Sequence, residues 1–189
     1  MTPRLLTVAF LAAACPVAAA PIPEAAKEQP LYFPTTVGAK WVYERAGVEQ
    51  EPVRVVSVEK SGKEVVVSRA GADGTAWRYA KVFVSPAGLR ESRLTPTGKS
   101  EVVWVLKLPL KAGESWAVGE MKRTVHGPEA VDVPAGRFQA VKVVDEHDSG
   151  AQLVAWYAPG VGRVKQASVS PKGKETVTLL LKSFTPGRP

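Results

Sequence analysis

The sequence predicts an all-β protein: an antiparallel meander of about ten short strands, bent into a curved half-barrel or a sandwich. Three observations predict it. From Leu31 onward, apolar and β-branched residues recur with period two rather than 3.6. Gly and Pro turn chemistry separates the runs at hairpin spacing. No amphipathic stretch is long enough to compete as a packed helix.

In chain order, the first strand opens at Trp41, after Pro34 and Gly38, and alternation puts Trp41 and Tyr43 on one of its faces. Val53-Arg54-Val55-Val56-Ser57-Val58-Glu59 and Glu64-Val65-Val66-Val67-Ser68-Arg69 follow, joined by Lys60-Ser61-Gly62-Lys63 as a hairpin. Trp77 to Val84 carries Trp77, Tyr79 and Phe83 on one face, and Val102 to Leu108 carries Trp104, Leu106 and Leu108 on one face. Lys122 to Val133, Phe138 to Val144, Leu153 to Tyr157, Arg163 to Val169 and Thr176 to Phe184 complete the set. Turns fall at Gly71-Ala72-Asp73-Gly74, Ser85-Pro86-Ala87-Gly88, Pro96-Thr97-Gly98, Val133-Pro134-Ala135-Gly136, Ala158-Pro159-Gly160 and Pro171-Lys172-Gly173.

A short pattern occurs twice. Phe33-Pro34-Thr35-Thr36-Val37-Gly38-Ala39-Lys40-Trp41 and Leu108-Pro109-Leu110-Lys111-Ala112-Gly113-Glu114-Ser115-Trp116 share an apolar-Pro-x-x-small-Gly-x-x-Trp spacing. Two related meander halves would produce it, and so would chance, because Gly-x-x-Trp is a common way to begin a strand.

The C-terminal half carries Val133-Pro134-Ala135-Gly136-Arg137-Phe138-Gln139-Ala140-Val141-Lys142-Val143, then Trp156-Tyr157-Ala158-Pro159-Gly160-Val161-Gly162-Arg163-Val164-Lys165. On these residues it resembles exported bacterial β-rich proteins known only as domains of unknown function. Those proteins are similar in turn to the half-barrels of the periplasmic lipoprotein-carrier family, which hold acyl chains against a concave sheet. The resemblance implies a curved sheet and an amphiphile on its concave side. It departs from the carriers in offering no helix to lid that face.

Residues 1–20 read as a secretory signal: Arg4, an apolar run from Leu5 to Ala14, and the small residues Val17-Ala18-Ala19-Ala20. The run of about ten residues falls short of the roughly 20 that a spanning helix needs, so no transmembrane span is expected. Cleavage after Ala19 or Ala20 would remove Cys15, the one cysteine, and leave neither thiol nor disulfide. The alternative is lipid anchoring through Cys15, since Leu11-Ala12-Ala13-Ala14-Cys15 is similar to a bacterial lipoprotein box. Residues 21–30 read as a flexible tether, 31–186 as a single β domain, and 187–189 as a tail. The expected location is extracytoplasmic, periplasmic or secreted.

Catalytic motifs are missing from the sequence. There is no His-Glu-x-x-His, Gly-x-Ser-x-Gly or phosphate-binding glycine loop. Asp145-Glu146-His147-Asp148 is the densest acidic stretch, but neighbours on a strand point to opposite faces and cannot converge on one ion, so it reads as a solvated loop. His126, ahead of Gly127-Pro128, reads as a turn cap. No metal site and no cofactor is expected. A hydrolase assembled from scattered Asp, Glu and His is the enzymatic alternative, since such residues need only meet in space.

Aromatic residues supply the sharper expectation. Trp41, Tyr43, Trp77, Tyr79, Phe83, Trp104, Trp156 and Tyr157 would line the concave side of a curved sheet and hold a lipid or other amphiphile there, or would simply form the core. Without the signal, 24 basic side chains face 18 acidic ones, and residues 149–189 hold six basic side chains against Glu175 alone. Such a patch suits an anionic envelope component, or serves to guard β-edges. Nucleic acid is not expected, for want of a recognition helix and because of the compartment. The sequence thus predicts an exported, non-catalytic binding or envelope-associated module, with a structural or protein-interaction domain as its alternative.

Overall fold

The computed structural model describes residues 30–73, 76–94 and 97–188, with 76–80 described through their backbone alone. The expected signal segment, Cys15 and almost all of the expected tether lie outside the described residues, as do the side chains of Trp77 and Tyr79. Thirteen strands and no helix are found among the described residues: β1 (Lys40–Arg45), β2 (Val48–Glu49), β3 (Val53–Ser61), β4 (Glu64–Ala70), β5 (Ala76–Ser85), β6 (Gly88–Leu94), β7 (Ser100–Lys107), β8 (Ser115–Val118), β9 (Met121–Val133), β10 (Gly136–Glu146), β11 (Gln152–Ala158), β12 (Gly162–Val169) and β13 (Glu175–Thr185). No helix among these residues is long and apolar enough to cross a membrane.

All strands belong to one antiparallel sheet rather than to the two layers of a sandwich. Apart from β2, which pairs with β1, the strands follow chain order around a ring. One arc runs β1-β3-β4-β5-β6-β7, the other runs β8 to β13, and β13 returns to pair with β1 through Lys40↔Thr185 and Trp41↔Phe184. The result is a nearly closed barrel whose open seam lies between β7 and β8. Each proposed half contributes six strands to the ring, and each recurring tryptophan sits at a junction between the arcs. Trp41 marks the paired junction. Trp116 marks the open one, where side chains replace a ladder: the Trp104 carbonyl accepts from Arg123 Nη1 at 2.6 Å and from Trp116 Nε1 at 3.4 Å.

β6 was not expected from the sequence. Its Leu89-Arg90-Glu91-Ser92-Arg93 lacks a period-two apolar signal because Glu91 and Arg93, in phase with buried Leu89, line the interior. Gly88 begins this strand at φ +136°, and a Cβ there would stand 2.1 Å from the Leu106 carbonyl oxygen, so only glycine lets β6 start this close to β7.

Two irregularities shape the walls. On β7, Leu106 pairs with Leu89 and Trp104 with Arg90, so Val105 is the extra residue of a bulge. Between β9 and β10 the register shifts from Val141↔Pro128 to Val143↔Val125, where Pro128, lacking an N–H, sits without loss. His126 therefore lies exposed in a bulged strand instead of capping a turn. Beyond the kink the β9–β10 hairpin leans over the outer face, and the Ala135 amide donates to the Leu181 carbonyl at 3.1 Å. This buries β11 on both sides. Leu153, Ala155 and Tyr157 line the interior, while Val154, Trp156 and Ala158 are buried on the other face.

Candidate functional site

Alternation along β1 turns Trp41, Tyr43 and Arg45 toward the interior, where they meet Val53 of β3, Arg69 of β4, Glu91 of β6, Tyr157 of β11, Arg163 of β12 and Leu179 of β13. Phe33, from the segment ahead of β1, completes a cavity of about 150 Å³. Its ring packs on Trp41 at 5.1 Å, and the same segment is fixed by the Gly160 amide donating to the Leu31 carbonyl. A second cavity of about 110 Å³ shares Glu91, Tyr157 and Arg163 and continues toward the seam past Arg123, Asp145, Val103 and Val105. The barrel interior is therefore apolar at one end and ionic through its middle.

The charges are organised. Arg123 grips Asp145 with two parallel bonds, Nε to Oδ1 and Nη2 to Oδ2, both 2.5 Å. Arg69 lies 3.4 Å from Glu91 and stacks its guanidinium 5.7 Å from the Phe33 ring centre. Both interior carboxylates thus have an arginine partner. Arg163 has none: among the described residues it makes no ion pair, and its one hydrogen-bond acceptor is Gln166 Oε1 at 2.6 Å. Burial pulls the Arg163 guanidinium pKa down, but Tyr157, Glu91 and Tyr43 together outweigh it, and the net shift is upward. Asp145 corrects the loop reading of its stretch: β10 runs on through Glu146, and Asp145 is buried in phase with Val141 and Val143. Glu146, His147 and Asp148 are exposed as expected, and no cluster of metal-ligating side chains is found among the described residues.

The expected aromatic lining does not form a single face. Trp41, Tyr43 and Tyr157 face the interior. Phe83 and Trp104 lie instead on the outer face, where Arg90 stacks between them at 5.3 and 5.4 Å while clasping Glu64. The β7 bulge is the reason: it puts Val105 and Leu106 inward together, so Trp104 no longer shares a face with Leu106. Trp156 is also outside, its Nε1 donating to Glu129 Oε1 at 2.6 Å beneath Lys142 and Lys165. Sequence reasoning overlooked Arg69, Glu91, Arg123 and Arg163 as site residues and set Asp145 aside as part of a solvated loop. For three of them a signal existed: Arg69 continues Val65 and Val67, Asp145 continues Val141 and Val143, and Glu91 continues Leu89, each in phase with buried apolar residues.

Trp41 donates from Nε1 to the Val161 carbonyl at 2.8 Å, and Tyr43 donates from its hydroxyl to the Arg163 carbonyl at 2.9 Å. Burial pushes the Tyr43 phenol up to about 12, with Glu91 and Tyr157 adding to the rise and Arg163 and Arg69 opposing it. Unfolded, the same phenol titrates at its ordinary value, near 10.0. A raised folded pKa gives stability that is whole below the unfolded value and drains as pH climbs through the folded one. Stability is therefore expected to fall between about pH 10 and 12, and Tyr43→Phe should flatten that fall; an equally steep decline in the variant, by urea midpoint against pH, would refute the assignment.

A family model described as DUF3108-like matches residues 111–181, from just ahead of β8 into β13. Among solved structures, a Bacteroides fragilis NCTC 9343 protein provisionally described as exported, with a YmcC-like fold, superposes with a TM-score of 0.55 at 16% identity, over 83% of this chain and 100% of its own. A protein of Parabacteroides distasonis ATCC 8503, provisionally described as a lipoprotein, gives a TM-score of 0.56 at 14% identity, over 82% of this chain and 99% of its own. At such identities the likeness is one of fold. No curated protein matches the chain.

Proposed function

We propose that this chain is an extracytoplasmic, non-catalytic binding module of the bacterial envelope that holds a small amphiphile inside its barrel. The observation that carries the reading is the first cavity: Phe33, Trp41, Val53 and Leu179 offer an apolar wall, and Arg45, Arg69 and Arg163 offer a cationic one. Its volume of about 150 Å³ suits one ring or a short chain rather than a whole diacyl lipid, since a dry protein cavity of roughly that size takes up benzene. The signal-like N-terminus and the fold shared with proteins described as exported and as a lipoprotein support the location. Exposed Lys172, Lys174 and Arg188 would turn toward anionic envelope components, an attraction that salt weakens.

Native mass spectrometry of the chain isolated from its own envelope tests the proposal. A bound small amphiphile, released on unfolding, is the expected result. In parallel, a lipophilic dye should brighten several-fold on binding, and Val53→Phe, which fills the cavity, should abolish the change. An apo mass together with unchanged dye emission would overturn the reading.

A further inference from the structure

The ligand's head group can be read from the hydrogen-bond inventory of the interior. Two carboxylates and five arginines line it, and the carboxylates are taken: Asp145 by Arg123, Glu91 by Arg69, while Arg93 pairs with Glu101 and Arg45 lies at the exposed rim. Arg163 remains, bordering both cavities, with one of its five N–H groups given to Gln166. Its other nitrogens are not sealed away, because the one buried side-chain nitrogen or oxygen without a partner among the described residues is Nε of Arg90. They therefore keep some accessible surface, on a side chain that lines both cavities. Beside it, the Tyr157 hydroxyl makes no hydrogen bond among the described residues and is likewise unsealed, although the residue is 7% exposed. A guanidinium fork and a phenol thus converge on one volume, with Gln166 Oε1 as the one acceptor that the described residues give them.

We infer that the interior is a carboxylate receptor: a small monoanionic carboxylic acid with one ring or a short alkyl chain, its carboxylate accepting from Arg163 and from the Tyr157 hydroxyl, its apolar body against Trp41, Phe33 and Leu179. This rests on the proposed binding function and specifies its ligand. The chemistry favours a carboxylate because the planar guanidinium offers paired N–H donors at matching separation. A neutral isostere would leave those donors unpaired in a part-dry site. Burial raises the Tyr157 phenol pKa, so it remains a donor through neutral pH.

Calorimetric titration of the full chain with benzoate and with benzyl alcohol, which differ in charge and little in size, tests the inference. Benzoate is expected to bind at least tenfold more tightly. Arg163→Gln should erase that preference, whereas Arg137→Gln, at the exposed start of β10, should leave it intact. Should Arg163→Gln fail to fold, Tyr157→Phe provides the second arm: benzoate is expected to weaken several-fold and benzyl alcohol to hold its affinity. Equal affinities for the two probes would overturn the carboxylate assignment and leave the binding function standing. Binding of neither probe, with a long-chain amphiphile bound instead, would overturn the size class. Silence toward all three would overturn both this inference and the proposed function.

Discussion

Asp145→Ala is expected to cost about 3–5 kcal/mol, the range for removing one partner from a buried ion pair. The side chains of Arg123 and Asp145 are 11% and 6% exposed, so water cannot take over when the carboxylate goes. The stranded guanidinium must then remain unpaired or swing out, and it also holds the Trp104 carbonyl across the open seam at 2.6 Å. The loss therefore reaches the closure of the barrel as well as the pair. A fall in Tm on the order of 10 °C should follow for a domain of this size. Arg123→Met combined with Asp145→Leu should recover most of the loss, because apolar replacements of similar volume owe no desolvation. If the single and double variants melt together, the pair is not what holds this part of the interior.

Trp41→Ala is the second large effect, expected at about 3–5 kcal/mol for a buried aromatic. Trp41 is 2% exposed, packs on Phe33 and on Phe184 at 5.1 and 5.7 Å, and ties β1 to the β11–β12 turn through the Val161 carbonyl. Trp41→Phe separates packing from hydrogen bonding: it keeps a ring and leaves Val161 without its donor, for about 1–2 kcal/mol. Chemical denaturation of both variants is the measurement. A loss below about 1 kcal/mol for the alanine variant would show that Trp41 is not a keystone of the junction between β1 and β13.

The strands were legible because their cause is local. Val53 to Glu59 and Glu64 to Arg69 form β3 and β4 with a tight turn at Gly62, as β-branched alternation and Gly chemistry require. β6 was not legible, and for the same reason the site was not: Glu91 and Arg93 face inward, and an inward charge looks in sequence like a solvated one. The aromatic set was half legible. Alternation correctly joined Trp41 to Tyr43 in the cavity wall, but it could not foresee that one extra residue, Val105, would send Trp104 to the outside.

By itself the sequence determined an all-β meander, its turns and the two-sidedness of each strand, since these follow from backbone sterics and the pleat over a few neighbouring residues. Only the tertiary structure decided which side became the interior, where the ring stayed open and which charges met inside. Those outcomes depend on partners distant in the chain, as when Trp41 reaches Val161, 120 positions on, or Arg123 reaches Asp145. A buried charge is tolerable only once the barrel has brought its counter-charge alongside, so its role exists nowhere in the local pattern.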